Sequence, residues 1–145
     1  MKKIVLLFVC TALCAAFLIG CMPAAEPQGT SIVVKVGEIT PGMKVDDIWA
    51  GITVNGKGES CMVEWWYYTD DDTSRPLIIT ADITEDFRGY VDISYYLPEG
   101  STLDDTAITV DAVSAVSYET TEGAYPSDTQ LHRCTRINFD LSANE

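Results

Sequence analysis

The sequence predicts an all-β protein, an antiparallel β-sandwich of about seven strands. Three observations predict it. Apolar and polar residues alternate with period two along most of the chain after residue 30. Turn-forming residues such as Asn55-Gly56 and Pro98-Glu99-Gly100 break these runs at short, fairly regular intervals. The gaps between runs leave no room for the crossover helices that parallel βαβ units require. Two packed sheets are the economical way to bury one face of each strand, and a small β-barrel is the alternative.

The first inward row is Ile32, Val34 and Val36, against Val33 and Lys35. Ile48, Ala50, Ile52 and Val54 form the second. Asn55-Gly56 then signals a hairpin, and Lys57-Gly58 lengthens its loop. Cys61, Val63, Trp65 and Tyr67 point inward, with Met62, Glu64, Trp66 and Tyr68 outward, until Asp70-Asp71-Asp72 and Pro76 end the strand. Leu77, Ile79, Ala81 and Ile83 read as the next inward row. The clearest alternation sets Phe87, Gly89, Val91, Ile93, Tyr95 and Leu97 against Arg88, Tyr90, Asp92, Ser94 and Tyr96. Residues 108–118 read as one weaker strand whose phase slips near Val113, and Thr135, Ile137, Phe139 and Leu141 close the set. Residues 38–47 and 103–106 have room for a helical turn at most, and no internal repeat is visible.

The chain has 145 residues, enough for one domain. Its 47% apolar content supports a packed core. Nine Lys/Arg stand against 22 Asp/Glu, a formal net charge of −13. So acidic a body repels nucleic-acid phosphates and anionic lipid, which excludes nucleic acid as a partner.

The N-terminus is different in kind. Lys2 and Lys3 precede sixteen uncharged residues, Ile4 to Ile19. The run falls short of the roughly 20 residues that span a bilayer comfortably, and no basic stop-transfer cluster follows. An uncleaved anchor is the alternative to a signal peptide. Leu18-Ile19-Gly20-Cys21 resembles the lipobox of bacterial lipoproteins. That resemblance covers the signal segment and Cys21 alone. It implies a diacylglyceryl group on the Cys21 sulfur and cleavage between Gly20 and Cys21. The chemistry suits a thiol, whose thiolate is a good nucleophile toward the lipid donor. Cys10 and Cys14 lack a small preceding residue. The implied organisation is a signal peptide over 1–20, the lipidated Cys21 and a Pro/Ala/Gly-rich tether over 21–30, and the sandwich over 31–145. Two or more acyl chains hold firmly to a bilayer, so the lipid bilayer is one partner and the domain lies outside the cytoplasm. In the family, Asp after the lipidated Cys favours the inner membrane. Here Met22 occupies that place, which implies the outer membrane in a two-membrane cell and the outer face of the cell membrane otherwise.

The sandwich is immunoglobulin-like in size and strand count only. Trp65 stands four residues after Cys61 rather than about a dozen, and His132 stands where that family has a tyrosine, so no family residues carry across. Beyond the lipobox, Cys61 and Cys134 are an even pair in an oxidising compartment, a candidate disulfide. Alternation sets the two on opposite faces, and a bulge or a strand end near Arg133 would reconcile them with a bridge.

His132 is the only histidine, beside Arg133 with no motif around any serine, so it reads as a surface residue and no enzyme is expected. No phosphate loop, dinucleotide fingerprint or cofactor motif occurs. Asp70, Asp71 and Asp72 are weak calcium candidates without EF-hand spacing, and more simply a solvated acidic loop. Two cysteines and one histidine fall short of a zinc site. The aromatic residues carry more. Alternation sends Trp66 and Tyr68 away from the core, and likewise Tyr90 and Tyr96. On neighbouring strands these four make an aromatic patch, suited to stack on sugar rings or peptide side chains, or simply to stabilise cross-strand pairs. The expected role is a binding or interaction module for a glycan or protein ligand. The alternative is a structural or assembly accessory of a cell-envelope complex.

Overall fold

The computed structural model describes residues 29–123 and 130–142, and the expected signal segment, Cys21 and nearly all of the expected tether lie outside the described residues. Among the described residues nine strands form: β1 Thr30–Val36, β2 Ala50–Val54, β3 Lys57–Glu59, β4 Met62–Tyr68, β5 Ser74–Pro76, β6 Arg88–Tyr96, β7 Thr106–Ala112, β8 Ser117–Glu122 and β9 His132–Asp140. They build two sheets, ordered β3-β2-β1-β7 and β5-β4-β6-β9-β8, which face each other as an unclosed sandwich. Among the described residues no helix is long and apolar enough to cross a membrane.

The period-two pattern explains the core. Ile32, Val34, Val36 and Ile52 of the smaller sheet are buried against Trp65, Val91, Ile93, Ile137 and Phe139 of the larger. Trp65 and Phe139 stack with ring centroids 6.0 Å apart, joining β4 to β9 across β6. Each fully buried aliphatic side chain contributes about 1.5–3 kcal/mol. The expected inward row of β6 is reproduced from Phe87 to Leu97.

Several expectations need correction. The weak strand expected over 108–118 is two strands, and the phase slip near Val113 is the turn that carries the chain from β7 in one sheet to β8 in the other. The row Leu77, Ile79, Ala81, Ile83 does not form a strand. That segment bonds instead to the loop before β2, through Val45 N–H to the Ala81 carbonyl and Asp46 N–H to the Ile79 carbonyl. Ile78 and Ile79 are consequently exposed, and Ile83 alone is fully buried. The helical turn allowed over 38–47 exists, as a short 3-10 turn at Val45–Asp47. The sheets are not purely antiparallel, because β1 and β7 pair in parallel. A parallel pair needs a long connection, and here the excursion through β2 to β6 supplies it without an α-helix.

The bridge proposed between Cys61 and Cys134 is not present, since both are free thiols. Cys61 packs against the core just before β4, whereas Cys134 lies on the outer face of β9. With β6 between β4 and β9, the two lie about two strand spacings apart, some 9–10 Å. That exceeds the roughly 7 Å that a disulfide spans between Cα atoms. Burial pushes both thiols above the ordinary cysteine range, against a lowering hydrogen bond at each, from the Ile52 backbone at Cys61 and from Ser94 at Cys134.

Candidate functional site

The outer face of the larger sheet is set by the register of its three central strands. Trp66 lies opposite Tyr90, Glu64 opposite Asp92 and Met62 opposite Ser94. On the other side of β6, Tyr90 lies opposite Asn138, Asp92 opposite Arg136 and Ser94 opposite Cys134. Because side chains alternate along a strand, these even-numbered residues share one surface.

Tyr90 points away from the core, yet it is only 5% exposed. Other side chains bury it. The Trp66 ring stacks on it at 6.0 Å and 11°, and Tyr68 tilts against it at 5.6 Å and 52°. The Arg136 guanidinium carbon stands 4.0 Å from the centre of the ring, a cation–π contact. The Tyr90 hydroxyl donates to Ser74 Oγ at 3.2 Å, tying β6 to β5.

Arg136 is held from a second direction. Its Nε and one terminal nitrogen donate to the two carboxylate oxygens of Asp92, each at 2.8 Å. This is the bidentate, charge-assisted geometry that fixes a guanidinium most firmly. The hydrogen bonds that Arg136 donates to Asp92 raise it further above its ordinary range, against the opposing effect of partial burial. Tyr90 is thus the floor of the cluster and the Asp92–Arg136 pair its polar rim. Trp66 and Tyr68 keep partly exposed surfaces that a ligand would meet. Trp66 Nε1 is buried without a hydrogen-bond partner among the described residues. Beyond Tyr68 the surface opens into a cleft of about 520 Å³, lined by Tyr67, Tyr68 and Phe87 with Asp70, Asp82 and Asp86.

Three of the four expected aromatic residues therefore meet, and Tyr96 does not. Six positions of strand separate it from Tyr90, about 20 Å. It packs instead on His132 at 4.9 Å, beside a separate cleft of about 400 Å³ that includes Cys61 and Met62. The acidic run closes its own turn. Thr69 and Thr73 donate their hydroxyls to Asp71, holding its carboxyl below the ordinary range. Asp72 takes a left-handed backbone, φ 58°, and pairs with Arg88 at 3.1 Å. No group of three or more His, Cys, Asp or Glu placed to hold a metal occurs among the described residues.

Asp92 and Arg136 are the site residues that the sequence did not single out. Their signal was opposite charge on two outward positions, but it becomes legible only once β9 is known to lie beside β6 in this register. Gly89 was legible only as a member of a row. A Cβ there would stand 2.2 Å from the Trp66 carbonyl oxygen, so the close approach of β4 and β6 beneath the cluster requires glycine. No family model, curated protein or solved structure matches this chain.

Replacing Asp92 removes the acceptor that keeps Arg136 over Tyr90. Asp92→Ala is expected to cost about 1–2 kcal/mol, the range for hydrogen bonds to a charged group, discounted for the partial exposure of Arg136. Thermal denaturation should show Tm falling by about 4 °C or more. An unchanged Tm would mean that the pair does not brace the cluster.

Proposed function

We propose that this chain is a non-catalytic, lipid-anchored binding module held outside the cytoplasm, which meets a glycan or a protein ligand with the outer face of its larger sheet. The observation that carries the reading is the braced cluster of Trp66, Tyr68, Tyr90 and Arg136 on the sheet's central strands. Large flat rings lose little entropy on contact and stack well on sugar rings and peptide side chains. The Asp92–Arg136 pair beside them supplies directional donors and acceptors for orientation.

An anchor through Cys21 would orient the sandwich. Thr30, where β1 begins, bonds to Asp105 and Ser101, next to the end of β6 that carries Tyr96. Tyr68 and Trp66 belong to the opposite end of the sandwich, since β4 runs antiparallel to β6. Seven residues separate Cys21 from Gly29, at most about 29 Å of chain. Tethered there, the domain turns its Tyr68 end away from the lipid. From Cys21 onward seven bases stand against 22 acids, a net charge of −15, which holds the domain off an anionic bilayer surface.

Two measurements test this reading. In a glycan array and in co-purification with envelope proteins, the double variant Trp66→Ala/Tyr68→Ala should lose at least tenfold in retention of the ligand bound by the unaltered protein. Retention that survives the double change overturns the aromatic face. Intact-mass analysis of the protein from its own cell should show a chain that begins at Cys21 and carries acyl chains. A lipid-free chain that begins at Met1 overturns the anchor.

A further inference from the structure

The four edge strands of the sandwich are treated unequally. On one side the edges are β3 and β5, each three residues long, with Lys57 in one and Pro76 in the other. Short strands, lysine and proline are the devices that blunt a sheet edge against pairing. On the other side the edges are β7 and β8, of seven and six residues, with neither lysine nor proline.

The free hydrogen-bonding groups of β8 follow from its register. Glu122 lies opposite Arg133, and the next residue, Gly123, donates its N–H to the His132 carbonyl at 3.0 Å. In an antiparallel ladder the amides alternate in direction. Ser117, Glu119 and Thr121 therefore point their backbone groups at β9. Tyr118, Thr120 and Glu122 point theirs at the open edge, where no described strand pairs with them. The side chains of these same three residues face the inner side of the sheet. That side is sealed at β9, where Ile137 is fully buried, but open at β8, where Tyr118 directly opposite is 60% exposed. The turn leading into β8 adds Val113 and Val116, both exposed. The larger sheet thus extends one strand past the cover of the smaller one, and its last strand offers unpaired amides above uncovered apolar surface.

We propose that the free edge of β8 receives an extended, basic segment of a partner protein as a sixth strand of the larger sheet. Strand addition gains affinity from main-chain hydrogen bonds and specificity from alternate side chains. Apolar residues of the incoming strand would face inward and cover Tyr118. Lysines or arginines would face outward beside Glu119. Charge selects the partner: Glu122 already pairs with Arg133 at 3.8 Å, but Glu119 stands on the outer face opposite an Arg136 that Asp92 holds, and the chain carries −13 overall. A second copy would bring like charge to like charge. The edge adjoins the aromatic face, with Glu119 opposite Arg136, but its main-chain hydrogen bonds do not depend on Trp66 or Tyr68.

The test uses the intact protein and a fluorescent peptide of alternating lysine and valine, seven residues long, followed by anisotropy. Saturable binding is expected. Thr120→Pro deletes an edge-facing N–H and leaves the amides directed at β9, as proline allows at a sheet edge. It should weaken binding at least tenfold, whereas Thr120→Val, which keeps the N–H, should stay within twofold. The same peptide methylated on every backbone nitrogen should not bind, a result that needs no variant to fold. Trp66→Ala/Tyr68→Ala should bind the peptide normally. Equal binding by Thr120→Pro, or equal binding of the methylated peptide, would reduce the effect to charge alone and overturn the proposal. Sedimentation showing a dimer of this chain that Thr120→Pro dissolves would overturn it in favour of self-pairing.

Discussion

The register in which β6 lies between β4 and β9 is the constraint on which the rest of the molecule depends. A slip of one residue would turn Tyr90, Asp92 and Ser94 into the core and expel Val91, Ile93 and Tyr95. Burying a carboxylate and exposing that apolar row would cost far more than any domain of this size can tolerate. The ladder between β6 and β9 is clamped at both ends. Leu141 N–H bonds to the Phe87 carbonyl at 3.0 Å, and Leu97 N–H to the Leu131 carbonyl at 2.8 Å. On the other flank, Gly89 lets β4 come close enough for Trp66 to reach the ring of Tyr90.

That single register serves two purposes. Its odd positions make the core, and its even positions make the cluster of Trp66, Tyr68, Tyr90, Asp92 and Arg136. The outer cluster is therefore positioned by the same backbone register that positions the core beneath it. A contact face built this way presents aromatic surface without first paying to order it. Toward the lateral edge the core becomes polar. Tyr95 hydroxyl meets Thr135 at 3.1 Å, Thr135 meets Thr120 at 2.9 Å, and the buried side chain of Arg133 lies 3.8 Å from Glu122. This polar seam lies where β8 leaves the cover of the opposing sheet.

The inner face was legible in the sequence because alternation is a local signal. The row from Phe87 to Leu97 needed no knowledge of neighbours. What failed depended on partners distant in the chain. Leu77 to Ile83 alternates like a strand, but its backbone bonds to the loop around Val45, so Ile79 is exposed. The slip near Val113 was visible, but nothing local says that a slip is a change of sheet. Trp66, Tyr68 and Tyr90 were placed together correctly, whereas Tyr96 was set apart by distance along its own strand. Asp92 and Arg136 could be paired only after β9 was laid beside β6. The cysteines show the same limit, since counting suggested a bridge that strand order forbids.

Residue-resolved hydrogen exchange tests the central register most directly. With β6 paired on both sides, its amides from Val91 to Tyr95 should be among the slowest in the protein, together with Thr135 and Ile137 of β9. Those of β8 should alternate, slow at Glu119 and Thr121 and fast at Tyr118, Thr120 and Glu122. Amides of β6 that exchange as fast as those of the edge strand β7, or a β8 without alternation, would contradict the strand order and register from which the site was derived.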